Sequence, residues 1–238
     1  MLDYILLLIG AFAAAAISGA AGFGGALLLL PMLVRVVGVE AAVPLLTIAQ
    51  LIGNLSRVGF YYREIRWRPV GIFLIAAVPA AILGAMSFVV LPKAIGVRLI
   101  GFAILVFVLL RLFGLAKFAP SNRLLLAGGM TVGFLSGVVG SAGPLGAAVF
   151  LALGLPPMAF IASEATTALT MHAAKMIVFR TSLDLGADFW PLAGALGVAM
   201  ILGTWASNRI IARISADPFR KLVGALLVAM ALQMLIMG

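Results

Sequence analysis

Apolar runs long enough to cross a hydrocarbon layer recur from one end of this 238-residue chain to the other. A bilayer core is about 30 Å thick and takes about 20 consecutive apolar residues in a helix. Strands of a membrane barrel would alternate apolar and polar residues, whereas these runs are continuous, so the fold class is all-α, a polytopic helical membrane protein. With 65% hydrophobic and 10% charged residues, too little polar surface remains to cover a soluble core. The start, Met1 to Tyr4, has no basic region, and the apolar run continues past any plausible cleavage site. It is expected to be a membrane segment of the mature chain rather than a signal peptide. Charges and prolines mark off eight segments, roughly 4–36, 41–61, 69–91, 96–116, 124–152, 157–180, 189–208 and 218–237.

The chain is also duplicated. Ser18-Gly19-Ala20-Ala21-Gly22-Phe23-Gly24-Gly25 is echoed 118 residues later by Ser136-Gly137-Val138-Val139-Gly140-Ser141-Ala142-Gly143-Pro144. Trp67-Arg68-Pro69 is answered by Phe189-Trp190-Pro191, and Ile82-Leu83-Gly84 by Ile201-Leu202-Gly203. This gives two transmembrane repeats of four segments, 1–118 and 119–238. The seam around 116–123 is too short for a linker domain, so the repeats should pack as one membrane domain.

Lys and Arg accumulate in cytoplasmic loops. If all eight segments span, the sixteen basic residues divide seven against nine. If segments one and five bend at their glycines and re-enter, the halves are inverted and the loops 57–68, 111–123 and 209–221 share one side. The division is then eleven against five, which favours inversion. Segments one and five also exceed one crossing at 1.5 Å per residue.

A break inside a membrane helix leaves backbone groups unpaired, which lipid does not tolerate, so breaks belong where they line a cavity. Amides opening the following half-helix point there with the positive end of the helix dipole, which suits an anion. Paired breaks in corresponding positions of two halves indicate a transporter with its site between them. Two polar stripes follow the breaks. Thr47, Gln50, Asn54 and Arg57 share one helix face, and Glu164, Thr167, Thr170, His172 and Lys175 form a looser counterpart. Intramembrane ionisable groups normally face a cavity or a partner. Glu164 therefore serves either proton coupling or a structural pairing with a backbone donor or Lys175. Lys175 reads as a helix-end cation that snorkels, Arg57 as either that or a cavity charge, and His172 as a packing residue.

Several classes drop out. There is no cysteine and one histidine, so thiolate and His-rich metal sites are not available; no metal and no cofactor are expected. The net charge of +9 is scattered between apolar segments and reflects topology rather than nucleic-acid binding. No Gly-x-x-x-x-Gly-Lys-Ser/Thr motif is present for nucleotide binding. Nothing in the spacing of Glu164, His172 and the serines suggests a catalytic triad, so the chain is not expected to be an enzyme.

Gly19, Gly22, Gly24 and Gly25 leading to Pro31 and Gly38, then Arg63-x-x-Arg66-Trp67-Arg68, resemble the first half of the sulfite exporter TauE/SafE family, the TSUP transporters. Gly137-Val138-Val139-Gly140, Gly154-Leu155-Pro156-Pro157 and the following Ala162, Ser163, Ala165 and Thr166 resemble the second. Ser141-Ala142-Gly143-Pro144 departs from a more glycine-rich family stretch. The resemblance implies passage of small sulfur-containing anions, such as sulfite, sulfoacetate and other sulfonates, across the bacterial inner membrane. The expectation is a multi-pass secondary transporter whose partners are a small anionic substrate and the bilayer, with a homo-oligomer left open. Its site would be built from Ser18, Gly19, Gly22, Gly24, Gln50, Asn54, Arg57, Ser136, Gly137, Gly140, Ser141, Thr166 and Thr167, with Glu164 as the proton-coupling candidate. A passive anion channel is the alternative.

Overall fold

The computed structural model describes residues 2–21, 25–92 and 119–210, with 95, 98, 102, 105 and 106 as isolated points. The expected segment 218–237 and nearly all of 96–116 lie outside the described residues, as do Gly22 and Gly24. Among the described residues the regular structure is helical, without strands.

The expected segment 4–36 is two pieces, helix α1 (Leu2–Ala21) and the beginning of helix α2 (Gly25–Tyr61). Inside α2, Gly38 adopts φ 75° and ψ 166°, which divides it into a short stretch, 25–37, and a long one, 39–61. A 3-10 turn (Tyr62–Glu64) leads into α3 (Trp67–Val90). The expected segment 124–152 is likewise two helices, α4 (Asn122–Val139) and α5 (Gly143–Leu151), followed by α6 (Pro157–Ser182) and α7 (Phe189–Ile210). Local chemistry sets these ends. The Ser121 hydroxyl accepts from the Leu124 N–H at 3.1 Å and caps α4. Gly140 ends α4 at φ 87°, a left-handed conformation that strains any residue with a Cβ. Prolines stand in the first turns of α5 and α6, where the missing N–H would have had no helical partner.

Each break folds the chain back on itself. Gly25 sits against the Ala14 carbonyl and Ser18, and Gly10 against Met32, so the stretch 25–37 runs antiparallel along α1. Gly146 lies at Val132 and Gly128 at Val149, which makes α4 and α5 the matching hairpin.

The halves interlock. Gly129, Gly133 and Gly137 of α4 press in turn on the carbonyls of Phe73, Ala77 and Ala81 of α3, so the two helices run parallel at backbone contact. Small residues at four-residue spacing permit that approach, which in lipid is a main source of helix association. The same exchange occurs on the other side, where Gly203 of α7 meets the Phe12 carbonyl and Gly19 of α1 meets Ser207. Two further helices follow these directions. On α6, Ser163 near its start binds the Arg66 N–H at 3.0 Å and Phe179 near its end packs on Phe88, so α6 runs with α3. Ile52 lies on Gly197 and Gly53 on Met200, so the long part of α2 advances with α7.

One hydrophobic core centres on α1, α2 and α7, and the other on α3 to α6. Ile75, Leu83, Val90, Met130, Ile177 and Val198 face outward. Trp67 and Trp190, at the starts of α3 and α7, are half or more exposed, a position suited to the membrane interface. Among the described residues, five helices are long and apolar enough to cross a membrane. Helix α6 is not among them because it carries many polar residues, and six of these, Ser163, Glu164, Thr166, Thr167, His172 and Lys175, are buried in the protein.

Candidate functional site

A buried cavity lies where the two breaks approach the long helices that follow them. Ser18, Gln50, Asn54 and Arg57 line it from the first half, and Ser136, Ser141, Glu164, Thr167 and His172 from the second. Ala26, Val132, Ala142, Ala168 and Met171 supply an apolar wall, and Gly143 and Gly146 of α5 complete it. Its volume is about 20 Å³, enough for a water-sized group. A tetrahedral oxyanion enters only if the helices around it separate.

Charge is concentrated at one point. Arg57 Nη1 faces Glu164 Oε2 at 3.8 Å, with both side chains 5% exposed. That separation exceeds the roughly 2.7–2.9 Å of a charge-assisted hydrogen bond, so this contact between the ions is Coulombic rather than a locked bidentate fork. Arg57 Nη2 also donates to Asn54 Oδ1 at 2.6 Å, and Asn54 Nδ2 donates to the Gln50 carbonyl at 2.7 Å. Asn54 thereby orients the guanidinium from one helical turn away. Of the polar stripe expected on α2, Gln50, Asn54 and Arg57 form this chain of contacts, while the Thr47 hydroxyl turns back to the Val43 carbonyl at 2.8 Å.

Several expected site residues have other surroundings. Gly19 packs on Ser207 and Gly137 on α3, and neither lines the cavity. Gly140 lies against Val43 and Leu46 and contributes its carbonyl to Lys175. The Thr166 hydroxyl donates to the Ala162 carbonyl at 2.7 Å, away from the cavity, and the Thr167 hydroxyl to the Glu164 carbonyl at 2.8 Å. Hydroxyls in an apolar helix commonly turn back on the preceding turn in this way. At the second break the Ser141 hydroxyl accepts from the Gly143 N–H at 3.4 Å, within the turn before α5.

Two residues differ from their sequence readings. Lys175 does not snorkel; it is fully buried. Its ammonium donates to the Ser136 carbonyl at 3.0 Å, the Ser136 hydroxyl at 2.9 Å and the Gly140 carbonyl at 2.8 Å. It thus neutralises the C-terminal end of α4, where carbonyls lose their helical partners and the dipole is negative. Its three donors match three acceptors, and its partner is not Glu164, which faces Arg57. His172 is not only a packing residue, since it lines the cavity. A signal for both exists in the sequence: the 118-residue step from Ser18 to Ser136 also carries Asn54 to His172 and Arg57 to Lys175.

No group of three or more His, Cys, Asp or Glu able to hold a metal occurs among the described residues. Fold and site together define a multi-pass helical membrane protein built around a buried polar cavity. The profile of the sulfite exporter TauE/SafE family matches residues 6–234. The chain belongs to this family of membrane transporters, which are not enzymes. No curated protein and no solved structure matches the chain.

Proposed function

We propose that the protein is a secondary transporter that carries a small sulfur-containing anion, sulfite, sulfoacetate or another organosulfonate, across the bacterial inner membrane together with a proton. The observation that carries this reading is the buried Arg57–Glu164 pair, formed between the two halves inside a cavity lined by both. An anion drawn to Arg57 must share it with the Glu164 carboxylate. Two negative charges beside one guanidinium in a desolvated space repel strongly. Protonating Glu164 removes that repulsion, so anion and proton would load together. Asn54 holds the guanidinium in place meanwhile, and the Ser18, Ser141 and Thr167 walls shape the space around the anion.

Alternating access would come from inverted halves. Helix directions support this: α1, α7 and the long part of α2 share one direction, α3, α4 and α6 share another, and the short turn at 62–66 reverses the chain between them. Corresponding helices α1 and α4 would then point oppositely. Single cysteines can be introduced without background, since the chain has none. Cysteine at Ser121 should label from the cytoplasm and cysteine at Asp3 from outside; labelling from the same side contradicts inversion.

Proteoliposomes loaded with unlabelled sulfonate test the function. Labelled sulfonate should accumulate transiently by counterflow, and an inward proton gradient should accelerate uptake. Uptake without counterflow would assign a passive channel instead. No movement of sulfite, thiosulfate or any sulfonate would sink the reading.

A further inference from the structure

Two buried polar atoms on residues that line the cavity have no hydrogen-bond partner among the described residues, Gln50 Nε2 and His172 Nδ1. Each residue is 4% exposed, so bulk water does not reach them. They stand on different halves, Gln50 on α2 and His172 on α6, and line the same cavity. Three of the other polar residues lining the cavity are engaged, Asn54 with Arg57 and the Gln50 carbonyl, Thr167 with the Glu164 carbonyl, and Ser136 with Lys175, while the Ser18 hydroxyl and the Glu164 carboxylate complete the polar wall. An amide nitrogen can only donate, and an imidazole Nδ1 donates in one of its two tautomers. Leaving such a group unmatched in a buried site is more unfavourable than a formed hydrogen bond is favourable, and native proteins keep few of them. Two such atoms on residues of one cavity, from opposite halves, mark donors left for an acceptor that the described residues do not supply to them.

We infer that Gln50 and His172 form a two-sided clamp, each donating to a different oxygen of one bound oxyanion. This rests on the transporter reading of the cavity and adds how the ligand class is recognised. Arg57 attracts any anion by charge and by itself selects none. The clamp requires at least two acceptor oxygens on one centre, as in sulfite or a sulfonate, which a spherical halide does not offer. Since one donor comes from each half, the ligand bridges the halves, and both donors are satisfied only when it sits between them in the widened cavity.

The test uses the full chain, with calorimetric binding of sodium sulfite, sodium methanesulfonate and sodium chloride and counterflow in proteoliposomes. Q50M and H172L should each weaken sulfite and methanesulfonate binding about tenfold, with chloride competition moved less than about twofold on the same scale. H172N places an amide nitrogen near the Nδ1 position and should recover most of the affinity. H172Q reaches toward Nε2 instead and should not. This pair separates donor loss from loss of packing. Unchanged affinity in Q50M and H172L while R57Q no longer binds would mean that water alone serves the two donors; the clamp falls and the transporter stands. If the unaltered protein binds no sulfur oxyanion, the transporter reading fails. The clamp then survives only if phosphate or nitrate binds and both variants weaken it.

Discussion

Arg57 and Lys175 occupy the same place in the two halves, 118 residues apart, and are used differently. Both are buried cations on the long helix that follows a break. Arg57 faces a carboxylate across the cavity, whereas Lys175 is tied to the carbonyls and hydroxyl at the end of α4. A cation thus follows each break, and the two serve different roles. In the second half the cation holds the broken helix together. In the first it meets the opposite half at the point where a ligand would bind. The side chains fit those roles, since a compact ammonium gathers three convergent acceptors and a planar guanidinium presents donors to a carboxylate and an amide at once.

That contrast can be broken experimentally. The largest effect is expected for Lys175→Met, which strands three neutral acceptors in a buried site; at about 1–3 kcal/mol for each unmatched buried group, a loss of about 3–5 kcal/mol follows. Thermal unfolding in detergent, or failure to accumulate in the membrane, reads it. Lys175→Arg should recover little, because the larger planar group does not fit between Ser136 and Gly140. Arg57→Gln comes next: the protein should still fold, but sulfur-anion counterflow should fall about 100-fold or more, the equivalent of about 2.7 kcal/mol. If Arg57→Gln destabilises as much as Lys175→Met while sparing transport, the two roles are misassigned.

Glu164→Gln sharpens the division further. It keeps the shape of the side chain and removes its charge, so anion exchange should persist while the response to a proton gradient disappears. Retained acceleration by the gradient would move proton coupling elsewhere. Smaller effects are expected at the seams between halves. Gly133→Ala and Gly203→Ala each drive a methyl into a backbone carbonyl, of Ala77 and Phe12 respectively, and should destabilise by about 1–3 kcal/mol. Comparable shifts in unfolding temperature would show that the seams are equivalent even though the cations are not. Thr166→Val should be smallest, below about 1 kcal/mol, because its hydroxyl serves only its own helix.

Much of this was legible without a structure, and the misses share a cause. Continuous apolar runs with glycine interruptions announce broken membrane helices, since lipid leaves a backbone few alternatives. The spacing of Gln50, Asn54 and Arg57 places them on one face because helical periodicity is local. Glycine alone, however, does not say whether it opens a turn or admits a neighbour. Gly140 does the first, while Gly19 and Gly137 do the second. Threonine is similarly ambiguous: Thr167 reaches the cavity wall and Thr166 does not, though they are adjacent.

The sequence by itself determined the helical membrane architecture, the family and the pairing of each break with a polar helix. These follow from hydropathy, backbone chemistry and repetition, all of which act along the chain. Tertiary structure alone decided which cation meets Glu164, what holds the end of α4, and which two buried polar atoms lack a hydrogen-bond partner among the described residues. Each of those depends on distances between residues of different helices, often from different halves. No local pattern encodes whether the buried charge across the bundle is a carboxylate at 3.8 Å or a ring of carbonyls and a hydroxyl at about 3 Å.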